Sequence, residues 1–205
     1  MKYVPRYERG SRINHWVVAV LFFCAALSGL AFFHPSLYVF TNLFGGGPWT
    51  RILHPFLGVL MFVGFAGLYR RFWHENRMTD ADRAWRGNLW ALLRGDKANM
   101  PPAGRYNAGQ KMMFWTFAGC LLVLLLTGVV FWRPWFVGYF PILAMRIAVV
   151  LHAVAATVLI LTAVIHIYAA IWVKGTLRAM TRGTVSEAWA RQNHPLWNQE
   201  VSGGP

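Results

Sequence analysis

Two histidines, His152 and His166, stand fourteen residues apart within one long apolar stretch of the sequence. In an α-helix this spacing separates them by about 21 Å along the axis and turns them by about 1400°, some 40° short of four full turns. Both rings therefore leave nearly the same face of the helix. Because the hydrocarbon core of a bilayer is ~30 Å thick, one histidine would lie near each membrane surface. There each ring could bind a metal-containing pigment.

The elements that must position these histidines are membrane helices. Of the 205 residues, 57% are hydrophobic and only seven are acidic, which is less charge than a soluble domain carries. Four stretches are long and apolar enough to span a bilayer, and none contains Asp or Glu. They are residues 16–33, 52–73, 112–132 and 145–173. We predict an all-α, integral membrane four-helix bundle that forms one domain over residues 1–205.

The net charge of +13 indicates membrane topology rather than nucleic-acid binding, because of where the basic residues fall. Seventeen of them lie before the first span, in the stretch from Arg70 to Lys111, or after the fourth span. The opposite side has only Arg51, Arg133 and Arg146. By the positive-inside rule, both termini, including the tail 174–205, are expected on the cytoplasmic side.

Two further helices are predicted on that cytoplasmic side. The inner loop contains an amphipathic pattern over about 80–94, whose apolar stripe would lie on the membrane surface. The stripe consists of Trp85, Leu89, Leu92 and Leu93. A second, short helix is predicted to start at Thr184, with Glu187 completing a capping box, and to end before Pro195.

Topology sorts the intramembrane histidines into two pairs. His15 opens the first span on the cytoplasmic side, and His54 opens the second span on the outer side. His54 would meet His152 near the outer surface, and His15 would meet His166 near the inner surface. Each pair could supply both axial ligands of a haem, which leaves no open iron position and suits electron transfer. The alternative is that these histidines form hydrogen bonds between packed helices.

A polar segment, residues 105–111, precedes the third span at the level of the inner histidine pair. Asn107 and Gln110 can each donate and accept hydrogen bonds, and Gly109 lets a ring approach the backbone. These properties suit the two carbonyls of a quinone headgroup. An ordinary polar loop at the membrane interface is the alternative.

On these motifs the chain resembles the membrane cytochrome b subunit, the gamma subunit, of respiratory formate dehydrogenases. The resemblance covers nearly the whole length and rests on five motifs. They are Arg-Ile-Asn-His at 12–15, His-Pro at 54–55, Arg-Tyr-Asn-Ala-Gly-Gln-Lys at 105–111, the His152/His166 pair, and Thr-Val-Ser-Glu-Ala-Trp-Ala at 184–190. It implies two b haems, one on His54 and His152 and one on His15 and His166. It also implies a quinone in contact with Asn107, Gly109, Gln110 and His166.

The resemblance also implies partners in anaerobic respiration at the bacterial cytoplasmic (inner) membrane. A molybdenum- or tungsten-containing catalytic (alpha) subunit would oxidise formate outside that membrane, and an iron–sulfur (beta) subunit would pass the electrons to the outer haem. They would cross to the inner haem and reduce menaquinone or ubiquinone on the cytoplasmic side. This chain would be the quinone-reducing subunit, without catalytic residues for formate oxidation. The heterotrimer is compatible with a higher oligomer.

Other functions remain open on the residues alone. The nearest is the cytochrome b subunit of another quinone-linked oxidoreductase, such as a hydrogenase or a sulfur-compound reductase. A transporter of protons or metal ions could also use intramembrane histidines, although the spans contain no carboxylate. A purely structural membrane anchor would not need matched histidines at both surfaces.

Overall fold

The computed structural model describes residues 2–80, 82–83 and 101–203. Over these residues the chain is mostly helical, and four helices are long and apolar enough to cross a membrane. They are α1 (Arg9–Phe33), α2 (Gly47–Phe72), α3 (Ala108–Val130) and α4 (Ile142–Trp172). Each predicted span coincides with one of them. The helices begin three to seven residues before the predicted spans, because helical hydrogen bonding continues beyond the apolar run into more polar sequence.

Shorter elements complete the described chain. Two 3-10 helices, Pro35–Phe44 and Val137–Tyr139, follow α1 and α3. Three short helices follow α4, namely α5 (Thr176–Arg182), α6 (Glu187–Asn193) and α7 (Pro195–Ser202). Strands β1 (Tyr3–Pro5) and β2 (Thr184–Ser186) pair antiparallel, with Val4 opposite Val185.

The chain divides into two compact units, and the first is the bundle unit, residues 13–69 and 116–165. Its core takes one buried side chain from each long helix, namely Ala25, Met61, Leu121 and Leu159. Large apolar side chains also cover its outside: Val20, Leu60, Leu126 and Leu161 are each more than half exposed. A surface of this kind is stable against lipid rather than water, which agrees with a membrane bundle.

The second is the terminal unit, residues 1–12, 70–115 and 166–205. Its apolar core lies between the two strands and the short helices. The core residues are Val4, Ala179, Val185, Trp189, Ala190 and Trp197. Val185 and Ala190 are fully buried, so the C-terminal helices pack on the sheet rather than extend freely.

The small sheet corrects one prediction about the C-terminal tail, because Thr184 lies in β2 instead of capping a helix. The two three-residue strands accompany an otherwise mostly helical chain with the four long helices of the predicted fold. Because β1 pairs with residues 184–186, the helix begins only after the strand, and the Ser186 hydroxyl caps α6 by accepting the Trp189 N–H at 3.2 Å. The helix ends before Pro195, as predicted. Most of the predicted amphipathic helix over about 80–94 lies outside the described residues.

Candidate functional site

His54 and His152 face each other inside the bundle unit. His54 belongs to α2 and His152 to α4. Their ring centroids are 6.3 Å apart, and the ring planes are inclined by 64°. Phe131, the residue directly after α3, packs against the His152 ring with the centroids 5.1 Å apart. The structure therefore brings together the two histidines that the sequence paired near the outer surface.

Each of these rings is also hydrogen-bonded through Nδ1 to a hydroxyl on a neighbouring helix. Ser28 of α1 lies 2.8 Å from His54 Nδ1. Thr127 of α3 lies 2.9 Å from His152 Nδ1. Sequence reasoning missed both hydroxyls, because spacing along one helix does not show which of its side chains meets the next helix.

The arrangement of the two rings fits a haem. A metal–imidazole nitrogen bond is ~2.0 Å long and the ring centroid lies roughly 1.1 Å further back, so two imidazoles on opposite sides of one metal have centroids about 6 Å apart. Within the described residues no group of three or more His, Cys, Asp or Glu side chains could hold a metal ion. A pair of imidazoles suffices for haem iron, because the porphyrin supplies the remaining ligands.

The predicted inner pair, His15 and His166, stays a prediction. His15 belongs to the bundle unit and His166 to the terminal unit. Both rings are partly buried. His166 shares the single helix α4 with His152, as the spacing predicted.

The other three histidines have local structural roles. His34 caps the first 3-10 helix, with its Nδ1 accepting the Ser36 N–H at 3.2 Å. The His74 ring lies against Trp73, with centroids 3.6 Å apart. His194 is buried in the terminal unit, with only 1% of its surface exposed.

Asn107 and Gln110 form a capping box at the start of α3. The Asn107 side-chain oxygen accepts the Gln110 N–H at 2.9 Å, and the Gln110 side-chain oxygen accepts the Asn107 N–H at 3.0 Å. The sequence contained this signal, since Asn-x-x-Gln before an apolar run is typical of a helix start. Both side-chain oxygens are used by the cap, so the amide NH2 groups are the part that could donate to a quinone carbonyl. Gly109 and His166 lie in the same unit as this box.

A buried ion pair, which sequence reasoning also missed, lies one residue further along. Lys111 Nζ contacts the Asp82 carboxylate at 2.6 Å. The same carboxylate accepts the Thr79 N–H and the Thr79 hydroxyl, each at 2.8 Å. Burial would raise the pKa of Asp82, but the hydrogen bonds from Lys111 and Thr79 outweigh it, so the pKa is below its usual value. No sequence pattern links the two residues, because they are 29 positions apart.

The segment before α3 is tied to both ends of the chain through Arg6 and His194. The Arg6 guanidinium donates to the Arg105 carbonyl at 2.6 Å, and the Arg105 guanidinium donates to the Arg6 carbonyl at 3.0 Å. His194 Nδ1 bonds to the Gly104 carbonyl at 2.8 Å, and Arg6 lies 3.4 Å from His194 Nε2. Burial, reinforced by the Arg6 charge, lowers the pKa of His194 from 6.5 to about 4.

Aromatic rings surround the Arg6 guanidinium, which is buried with 4% exposure. It lies 4.5 Å from the Trp197 ring centroid and 5.2 Å from that of Trp189, within the range of cation–π attraction. The rings of Tyr7 and Tyr106 lie slightly further away. The sequence indicated Arg6 only as one of the basic residues before the first span.

Comparison with protein families decides the class of this chain. The profile of the prokaryotic cytochrome b561 family matches residues 6–183, a range that includes all four long helices and the four paired histidines. The chain belongs to the prokaryotic cytochrome b561 family. This cytochrome is therefore a membrane protein of a family whose prosthetic group is haem b, in agreement with the paired imidazoles of the bundle unit.

The cytochrome is also similar to named subunits over nearly its full length. It is 42% identical over 200 residues to the cytochrome b556(Fdn) subunit of nitrate-inducible formate dehydrogenase from Escherichia coli (strain K12), an alignment of 98% of this chain and 92% of that subunit. It is 43% identical over 198 residues to the cytochrome b556(fdo) subunit of formate dehydrogenase from the same strain, covering 97% and 93%. The cytochrome b556 subunit of Haemophilus influenzae formate dehydrogenase is 38% identical over 197 residues, covering 96% and 83%. The resemblance that the motifs indicated is confirmed.

Proposed function

We propose that this cytochrome is the membrane cytochrome b subunit of a respiratory formate dehydrogenase. The observation that carries the proposal is the similarity to formate dehydrogenase subunits over more than nine-tenths of this chain. The matches cover 96–98% of this chain and so extend well beyond the membrane helices, which means that they are not a general likeness between apolar sequences. The whole chain, residues 1–205, would form one membrane cytochrome domain.

The proposal assigns two b haems. The outer haem would be held by His54 and His152, whose ring separation and hydrogen-bonded Nδ1 atoms support the assignment. The inner haem would be held by His15 and His166, and the position of His166 on the same helix as His152 supports it. Haem with two axial histidines supplies one-electron transfer without an open iron position.

The proposed topology places both termini in the cytoplasm and the protein in the bacterial inner membrane. Seventeen of the twenty basic residues would then lie on the cytoplasmic side. His54 and His152 would lie near the outer surface, and residues 105–111 near the inner one. Electrons that enter outside and leave inside would move negative charge inward, worth about 2.3 kcal/mol per charge per 100 mV.

Quinone reduction would take place beside the inner haem, at Asn107, Gly109, Gln110 and His166. The terminal unit contains all four residues. The amide NH2 groups of Asn107 and Gln110 would donate to a quinone carbonyl while their oxygens hold the start of α3. The substrate is menaquinone or ubiquinone, and its protons would come from the cytoplasm. In this sense the chain is the quinone-reducing subunit of an oxidoreductase.

The partners would be an iron–sulfur (beta) subunit and a molybdenum- or tungsten-containing (alpha) subunit that oxidises formate. The support for them is that each relative is named as a subunit of formate dehydrogenase. Lipid would cover the apolar outside of the bundle unit. Further association of the heterotrimer is compatible with the proposal.

The test is affinity purification of the tagged chain from membranes of its native host, in mild detergent and without oxygen. We expect two partner subunits, one with iron–sulfur clusters and one with molybdenum or tungsten. Formate should reduce haem b in this preparation, and a quinone analogue should reoxidise it. Hydrogen and sulfur compounds, added as matched controls, should not reduce it.

Each other result would identify a competing function. Reduction by hydrogen or by a sulfur compound, with formate inactive, would identify a different quinone-linked oxidoreductase. Purified protein without haem bands and without partners would favour the ion transporter or the membrane anchor. Both results would contradict the proposal.

A further inference from the structure

Ser28 and Thr127 occupy matching positions in the bundle unit. Ser28 stands on α1 beside His54 of α2, and Thr127 stands on α3 beside His152 of α4, with each hydroxyl bonded to Nδ1 of its histidine. Ser28 is fully buried and Thr127 is only 8% exposed. Two different helices thus present one buried hydroxyl each to the two facing rings.

Each hydroxyl already donates its own proton to the main chain of its helix. Ser28 Oγ lies 2.7 Å from the Cys24 carbonyl oxygen, and Thr127 Oγ1 lies 2.6 Å from the Val123 carbonyl oxygen. Both contacts have the length of an O–H···O hydrogen bond, and both follow the pattern in which Ser and Thr bond the carbonyl four residues earlier. A hydroxyl oxygen and a carbonyl oxygen this close together need a proton between them, and only the hydroxyl has a proton to give.

The direction of the hydrogen bond to each histidine follows from this use of the proton. A hydroxyl has one proton to donate and two lone pairs to accept with. With its proton on the carbonyl, each hydroxyl can only accept from the imidazole. Nδ1 must therefore carry the hydrogen in both His54 and His152, and the lone pair of each neutral ring is on Nε2.

A glycine follows each of the two hydroxyl residues, and at Gly29 the lack of a side chain leaves room for the ring. A Cβ atom on Gly29, the residue after Ser28, would stand 3.2 Å from His54 Cε1. A Cβ atom on Gly128, the residue after Thr127, would stand 3.5 Å from Cε1 of its histidine. At both histidines, a hydroxyl residue followed by a glycine thus lies against one edge of the ring.

We propose that Ser28 and Thr127 are positioning residues that fix His54 and His152 as Nδ1–H tautomers, so that both present Nε2 to the outer haem and lower its midpoint potential. This inference rests on the proposed function, which places a haem between the two rings. A ligating histidine that donates its other N–H to an acceptor is a stronger base toward the metal. A stronger base stabilises ferric over ferrous iron, so the two hydroxyls should favour the oxidised haem.

The experiment removes one hydroxyl at a time and keeps the shape of the side chain. Thr127→Val and Ser28→Ala lose the acceptor, whereas Thr127→Ser keeps it. Thr157→Val is the matched control, because Thr157 lies on α4 and donates to the Ala153 carbonyl at 2.8 Å but is exposed. The readouts are haem content per chain, a spectroscopic redox titration and the electron paramagnetic resonance signal of the ferric haem.

The outer haem is identified as the redox wave that is absent from His54→Ala. At the wild-type midpoint we expect its ferrous-to-ferric ratio to rise about tenfold in Thr127→Val and in Ser28→Ala, which is ~59 mV for a one-electron couple. Its resonance signal should shift as well, since the imidazoles lose their orienting bonds. Thr127→Ser and Thr157→Val should keep the wild-type ratio and signal.

Three results would overturn the inference. A ratio within about twofold of wild type in both hydroxyl-free variants would mean that the hydroxyls do not tune the haem. Loss of haem from Thr127→Ser, with full haem content and a wild-type redox ratio in Thr127→Val, would show that the threonine methyl group, rather than the hydroxyl, matters. Wild-type protein without an outer haem would overturn the proposed function together with this inference, whereas the first two results leave the proposed function intact.

Discussion

Lys111 Nζ lies 2.6 Å from a carboxylate oxygen of Asp82, and each of the two side chains is only 9% exposed. The pair joins the first turns of α3 to the segment around Thr79. Removing one partner from a buried ion pair is costly, because the other charge remains buried without compensation.

Lys111→Met should therefore destabilise the protein by about 3 kcal/mol or more, measured as a fall in the apparent melting temperature in detergent. The double variant Asp82→Asn with Lys111→Met should recover much of the loss. Arg83→Met is the control, since it breaks the exposed pair of Arg83 with Asp80 and should cost less than about 1 kcal/mol. Equal effects of Lys111→Met and Arg83→Met would show that the buried pair has no special role.

The capping box at Asn107 and Gln110 changes how the proposed quinone site must be tested. Alanine at either position would weaken the start of α3 by about 1 kcal/mol as well as remove a hydrogen-bond donor. Asn107→Asp combined with Gln110→Glu keeps both oxygen acceptors, removes the NH2 donors and adds two negative charges. This acidic double variant separates quinone binding from helix capping.

We expect the acidic double variant to keep both haems and their reduction by the electron donor. Reoxidation by quinone should slow tenfold or more, the effect of losing about 1.4 kcal/mol of stabilisation. The measurement is the rate of haem reoxidation after a pulse of quinone. If reoxidation slows in the alanine double variant but not in the acidic one, the residues serve the helix and the quinone binds elsewhere.

His194 should make the terminal unit sensitive to acid. Its pKa is about 4 in the folded protein and 6.5 when unperturbed, so between these values the unfolded chain binds the proton more readily. The free energy of unfolding therefore has the full His194 contribution above pH 6.5. It decreases as the pH falls from 6.5 toward 4, and the total loss is about 3 kcal/mol. His194→Gln should flatten the decline of melting temperature between pH 7 and pH 4.5, whereas His34→Gln should not. The same decline of melting temperature with falling pH in the wild type, His194→Gln and His34→Gln would contradict this account.

Gly29 should be needed for occupancy of the outer haem. Gly29→Ala places a methyl group 3.2 Å from His54 Cε1, so the ring must move away from α1. We expect less haem per chain, measured as pyridine haemochrome. Gly119→Ala is the control, because a Cβ at that position meets nothing within 4 Å. Full haem content in Gly29→Ala would show that the ring tolerates the displacement.

The sequence was sufficient for features that follow from one helix at a time. Apolar runs without carboxylates predicted all four long helices, and helix periodicity predicted that His152 and His166 share α4. The pairing of His54 with His152 followed from topology, since adjacent membrane helices alternate in direction.

Beyond that pairing, side-chain contacts between two helices or two distant segments were not predictable. The bonds from Ser28 and Thr127 depend on which helix face meets the neighbouring histidine. The Asp82–Lys111 contact joins parts of the chain that no sequence period relates. Arg6 looked like one more basic residue before the first span, because the aromatic rings that surround it come together only when both termini fold.

The most direct test of the central claim is haem stoichiometry in five purified proteins, the wild type and four histidine variants. Pyridine haemochrome should give two haems b per chain for the wild type, one for His54→Ala, and two for His74→Ala, whose ring lies against Trp73. His152→Ala should match His54→Ala, and His15→Ala should lose the other haem. One haem or none in the wild type, or a haem lost from His74→Ala, would contradict the assignment of the paired histidines as haem ligands.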